Sequence, residues 1–176
     1  GTMMLLLTYP VTRWQIIMGK FFGHVLILSI AIVVGYGGAA VALTLITDGS
    51  TEGWLAYGTM MASSLVLGAV FIALGYLVSV LVTERATAIG AAIGLWLVFV
   101  VLYDLLLFGA LTMDKDQLIG QQLFSMLMLV SPTDAYRVLN LSSFEGVSEA
   151  AGIAGVASEA GLSGTLLISV MLLWVI

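Results

Sequence analysis

Asp104 is the only charged residue between Ala86 and Met113, a run that is otherwise apolar or small. An ionised aspartate at the centre of a membrane-crossing helix costs about 2.5–3.5 kcal/mol, so it must face protein, water or a partner group. It reads either as a cargo-path or gating residue or as a hydrogen-bonded structural aspartate near the outer interface. The opening stretch carries a second signal. Thr12-Arg13-Trp14-Gln15 has the Thr-x-x-Gln form of a capping box just ahead of an apolar run, with Pro10 before it. With Lys20, it predicts an amphipathic end suited either to docking a soluble partner or to anchoring at the interface. Met60, Met61, Met113, Met126 and Met128 are soft thioethers of the kind that hold Cu(I). Methionine also fills apolar gaps, and no Met-x-x-Met array occurs, so metal ligation is the weaker reading. His24, one turn after Lys20, reads as a packed, hydrogen-bonded residue rather than a ligand.

Other chemistries have no residues to carry them. The chain contains no cysteine, which removes disulfides, Cys-ligated zinc and thiol catalysis. Neither a phosphate-binding Gly-x-x-x-x-Gly-Lys-Ser/Thr loop nor a Ser-His-Asp arrangement is found, so the sequence predicts no catalytic residues and no ATP hydrolysis by this chain. The net charge of −5 offers no basic stripe for nucleic acid.

The elements that must position these residues are membrane helices. Hydrophobic residues make up 61% of the chain and charged residues 9%, against about 25% charged in soluble domains. Residues 21–47 and 53–83 carry no Asp, Glu, Lys or Arg. About 20 apolar residues at about 1.5 Å rise suffice to cross a hydrocarbon core of about 30 Å. Spans are therefore expected at about 21–47, 55–82 and 87–113, with a fourth, truncated one at 163–176. The runs lack period-two alternation, which selects helices over a barrel. Ala86, Gly90 and Gly94 line one face at helical spacing, and that face is expected to meet another helix.

Residues 1–20 are expected to be cytoplasmic and residues 21–176 to form the transmembrane domain. Basic residues set the orientation: Arg13 and Lys20 precede the first span and Arg85 lies between the second and third, whereas the 48–54 connector has two acids and no base. The Glu84-Arg85 turn is expected inside and its neighbouring connections outside, with Trp54 and Tyr57 as belt residues. The segment 114–162 differs in kind. Residues 117–130 are too short to span and end at Ser131-Pro132, after which Thr133 or Asp134 would cap a new helix over 135–139. This outer region is expected to be re-entrant or interfacial, followed over 140–161 by a Gly/Ala/Ser-rich outer loop with at most a weak helix.

Two stretches carry a family resemblance. Leu5-Leu6-Leu7, Pro10-Val11, Arg13 and Ile17-x-Gly19-Lys20-Phe21 resemble the coupling-helix region of ABC-2-type transporter permeases. Ser131-Pro132-Thr133-Asp134-Ala135-Tyr136-Arg137, with Asn140-Leu141 and Phe144-Glu145-Gly146, resembles the Nos-type permeases of that family, which serve maturation of the periplasmic copper enzyme nitrous oxide reductase. That group usually has Asn where this chain has Ser131. The resemblance implies an all-α helical bundle, an internal fragment of a six-span subunit in the bacterial inner membrane. It implies a second copy of the chain, a cytoplasmic ABC ATPase that binds ATP and Mg, and a periplasmic copper-handling partner. It places ATPase coupling at Thr12, Arg13, Trp14, Gln15 and Lys20, and the outer partner or cargo region at Pro132, Asp134, Tyr136 and Arg137. The implied cargo is copper or a sulfur species, or else conformational work on the periplasmic partner. An ABC-2 exporter of lipid, glycan or drug and a non-transporting scaffold for a periplasmic enzyme are the alternatives.

Overall fold

The protein is described from a computed structural model, over residues 12–46, 54–113, 120–143 and 163–175. The Leu5–Pro10 signal, the acidic 48–53 connector, residues 114–119 and residues 144–162 lie outside the described residues; of the loop expected at 140–161, residues 140–143 are instead helical.

Helix α1, Arg13–Ile46, and helix α2, Trp54–Leu81, are long apolar rods. The third rod is composite: α3, Arg85–Leu97, runs into a π-helical segment, Val98–Leu102, and continues as α4, Tyr103–Met113. Each rod is long and apolar enough to cross a bilayer. Helices α5, Gln121–Val130, and α6, Pro132–Ser143, are shorter than a span and distinctly amphipathic; α7, Gly164–Leu173, is short and apolar. Among the described residues all regular structure is helical.

Burial runs inside out relative to a water-soluble protein. Leu45, Ile46 and Leu55 are largely exposed, and no α1 side chain is buried. Ser63, Ser125, Ser131, Thr133, Asp134 and Asn140 are buried instead. Lipid tails solvate leucine well, so helix association rests on close packing and on polar groups that lipid cannot satisfy.

Helix α2 is the hub, packing against α1, α3, α6 and α7. Its contact with α1 turns on Gly68: a Cβ there would run into Leu28 Cδ2, so the absent side chain admits α1. His24 and Tyr76, hydrogen-bonded at 3.0 Å, and the edge-to-face rings of Tyr36 and Tyr57 complete that contact. By contrast, nothing stands within 4 Å of a Cβ at Gly90 or Gly94. The expected helix neighbour of that face is not among the described residues.

The core lies elsewhere, where Leu107, Phe124, Met128, Ala135, Val138, Leu139, Leu167 and Met171 pack together. Its shape follows from where α5 and α6 enter. Phe124 packs with Leu107, the Tyr103 hydroxyl donates to Leu127 O at 2.6 Å, and Thr133 donates to Phe99 O. The chain thus descends from the Met113 end to the middle of the third rod. Tyr136 then meets Ser64 and Asn140 meets Ser63, on the half of α2 nearer Trp54. Helices α5 and α6 therefore enter and leave at one end of the bundle.

Candidate functional site

The break between α5 and α6 is the chemical centre of the molecule. Pro132 supplies no N–H and cannot sit inside a continuous helix, so α5 ends at Val130 and Ser131 turns extended. Non-helical backbone at this depth is tolerated only where protein covers it, and Ser131 is fully buried. Its hydroxyl accepts from the Asp134 N–H at 3.3 Å and lies 3.0 Å from Thr133 Oγ1. Ser131, rather than Thr133 or Asp134, is therefore the cap, and the new helix spans Pro132–Ser143 rather than 135–139. Proline suits the first helical position because its missing N–H is one that a helix start leaves unpaired in any case.

The π-helical turn sits opposite this break. One extra residue per turn widens the helix and frees carbonyls, a feature common at functional sites. Thr133 donates to Phe99 O at 3.1 Å, and an Arg137 amino group approaches Val100 O at 3.5 Å. Two carbonyls of the π turn thus accept from side chains of the broken helix.

Directly after the π segment, Asp104 forms an ion pair with Arg137, and Arg137 also reaches Asp134 Oδ1 at 3.4 Å. Sequence reasoning had placed Asp104 in one role and Asp134, Tyr136 and Arg137 in another; the structure brings them into one cluster. The Asp134 side chain is 1% exposed, whereas those of Arg137 and Asp104 are 37% and 33% exposed.

A polar seam fastens α6 to α2. The Asn140 side-chain amide donates to Ser63 Oγ at 2.9 Å and to Tyr136 O at 2.8 Å, and the Tyr136 hydroxyl pairs with Ser64 at 3.0 Å. A cavity of about 390 Å³ opens beside this seam, lined by Ser64, Trp96, Thr133, Tyr136 and Arg137 among others. Ser63, Ser64, Thr133, Asn140 and the π turn were not singled out by the sequence. The available clue was scarcity: an intramembrane carboxylate needs a base, and Arg137 and Lys115 are the only two basic residues after Arg85.

The remaining predicted residues lie apart. At the start of α1, Thr12 N donates to Gln15 Oε1 at 2.9 Å and Gln15 N to Thr12 Oγ1 at 3.3 Å, forming the expected capping box. Arg13, Trp14 and Lys20 are exposed around it. Met128 is buried in the core, Met113 and Met126 are exposed, and Met60 and Met61 are half-buried. His24 is held by Lys20 O at 2.7 Å and by Tyr76.

The sequence that builds this arrangement matches a known family. The model of the ABC-2 family transporter proteins matches residues 1–176. The chain belongs to that family. Two curated ABC-2 relatives are each 42% identical over 99% of the chain: the "Probable ABC transporter permease protein NosY" of Stutzerimonas stutzeri and the protein of the same name from Pseudomonas aeruginosa strain PAO1. The chain spans 64% and 63% of their respective lengths, less than two thirds. Family and helix lengths together make it a multi-pass protein of the inner membrane.

Proposed function

We propose that this chain is the membrane-spanning part of an ATP-driven ABC transporter permease, moved by a separate cytoplasmic ATPase. The observation that carries this reading is the start of α1. Its reciprocal capping box fixes the helix end, and Trp14, 66% exposed, stands there beside exposed Arg13 and Lys20. A rigid rim of this kind can receive a push from a docked protein and pass it along α1 to the hub helix α2. Packed helices respond to such a push as bodies rather than bending continuously.

The finer reading places the transporter in copper-site assembly of periplasmic nitrous oxide reductase. Support comes from the Ser131–Arg137 likeness and from relatives named NosY. In it, α5 and α6 lie at the outer side and meet cargo or a periplasmic copper-handling protein. The homodimer would form from faces that the described residues leave bare. Copper or a sulfur species would be substrate, not a resident cofactor.

Charge reversal at Arg13 tests the coupling role. In the full-length permease with its ATPase, Arg13→Glu is expected to leave assembly intact and to separate ATP hydrolysis from transport. Normal coupled activity would show that Arg13 is no docking residue. An apolar cavity of about 370 Å³ between α1, α2 and Trp174 favours a second reading, export of a lipid or drug. Stimulation of the ATPase by such compounds, without effect of copper-enzyme maturation on activity, would select it.

A further inference from the structure

Two carboxylates, Asp104 and Asp134, share one guanidinium, that of Arg137, at a point close to the middle of the third rod. The charge count leaves one negative charge over. The start of α6 also favours a negative group in its first turn, where Asp134 sits. That partial charge and Arg137 together compensate one carboxylate, not two.

The atoms show where the imbalance falls. Asp134 Oδ2 is buried and no hydrogen-bond donor among the described residues reaches it. The Asp104 and Asp134 carboxyls converge on the same Arg137 nitrogen, with Asp134 Oδ1 3.4 Å from it. Two ionised carboxylates in such contact repel, and a buried charge without donors is costly; a group so placed takes up a proton instead.

We infer that the Asp104–Asp134 pair is a proton-binding site that holds one shared proton beside Arg137. The proton lets one carboxyl donate to the other, which supplies the missing partner and brings the cluster to neutrality. Its loss puts two like charges face to face across the contact between α6 and the third rod, and so loosens that contact. Arg137, the base that the two carboxyls share, also lines the cavity beside Ser64, Thr133 and Tyr136.

Other titratable groups around the pair are few. The third rod presents Tyr103, whose hydroxyl is committed to Leu127 O, and α6 presents Tyr136, committed to Ser64. Helices α5 and α7 carry no titratable side chain. Those of α2 are Tyr57 and Tyr76, which engage Tyr36 and His24 away from the site. Among the described residues, any titration at this point therefore belongs to the pair.

The sign of the pH dependence follows. The native state keeps a proton that a free aspartate has lost by mild acidity, so native stability falls as pH rises toward the native value and is flat beyond it. The test uses the full-length permease in lipid nanodiscs, studied by infrared difference spectroscopy and thermal denaturation from about pH 5 to about pH 8. The wild type is expected to show a protonated-carboxyl band that bleaches with alkalinity and shifts with isotope-labelled aspartate. Its midpoint temperature should fall over the same interval, and both responses should vanish in Asp134→Asn. Asp104→Asn should abolish them as well, by leaving one carboxylate for one guanidinium. A wild type with no such band and pH-independent stability would overturn the site. A stability that follows sodium or potassium at fixed pH would overturn it too, by showing a bound metal cation in place of the proton. The labelled wild-type spectrum decides alone if neither variant accumulates.

Discussion

Helix α1 and the pair α5–α6 solve opposite problems in the same membrane. Helix α1 has 34 residues and buries none of them. Helix α6 has 12 residues and buries most of them, including Thr133, Asp134 and Asn140. Lipid places the first: an apolar rod of sufficient length finds the bilayer with little help from its neighbours. Hydrogen bonds place the second, because each polar group carried to that depth needs a partner. The long helix is held by a close approach at Gly68 with a few aromatic and histidine contacts, whereas the short one is fixed by Ser63, Ser64, Phe99, Val100 and Asp104 together.

If that contrast holds, substitutions should hurt in proportion to buried polarity and not to helix length. The largest effect is expected from Arg137→Gln, which strands the buried Asp134 carboxyl. Breaking a fully buried pair costs about 3–5 kcal/mol, and since Arg137 is more than a third exposed the loss should lie near about 3 kcal/mol. It should appear as a lower midpoint temperature of the full-length protein, while Lys20→Gln on α1 leaves the midpoint unchanged. Next comes Gly68→Val, which drives a branched side chain into Leu28 and should cost about 2 kcal/mol by overpacking. The same change at Gly90 should cost little; an equal loss there would reveal a helix covering that face in the full assembly. Asn140→Ala should cost about 1 kcal/mol, the scale of an interhelical hydrogen bond in a membrane. Smallest is Thr12→Ala, about 0.5 kcal/mol at an exposed cap, visible as faster amide exchange over residues 13–16 with no change in midpoint.

The same contrast explains what could be read from the sequence. Long uncharged runs announce spans because the bilayer imposes one simple requirement, and the capping box at Thr12 and Gln15 is local, so both follow from chain order alone. The break at Ser131-Pro132 was legible from proline, but the capping residue was misplaced by two or three positions. Ser131, Thr133 and Asp134 can all cap a helix, and only the buried path of the chain selects among them. The union of Asp104 with Asp134 and Arg137 was hidden because thirty-odd residues separate them and no local periodicity links them. The π turn leaves no mark in a sequence of Val, Phe and Leu. Its role emerges only when Thr133 is seen to meet a carbonyl of that turn.

The central claim is that this chain works as a permease driven by a separate ATPase. Affinity purification of the full-length protein in mild detergent, with mass spectrometry of its companions, tests that claim most directly. The account predicts recovery of a cytoplasmic ABC ATPase together with a periplasmic copper-handling protein. Intact, well-folded permease that repeatedly emerges with no ATPase would contradict it, and would leave a membrane scaffold for a periplasmic enzyme in its place.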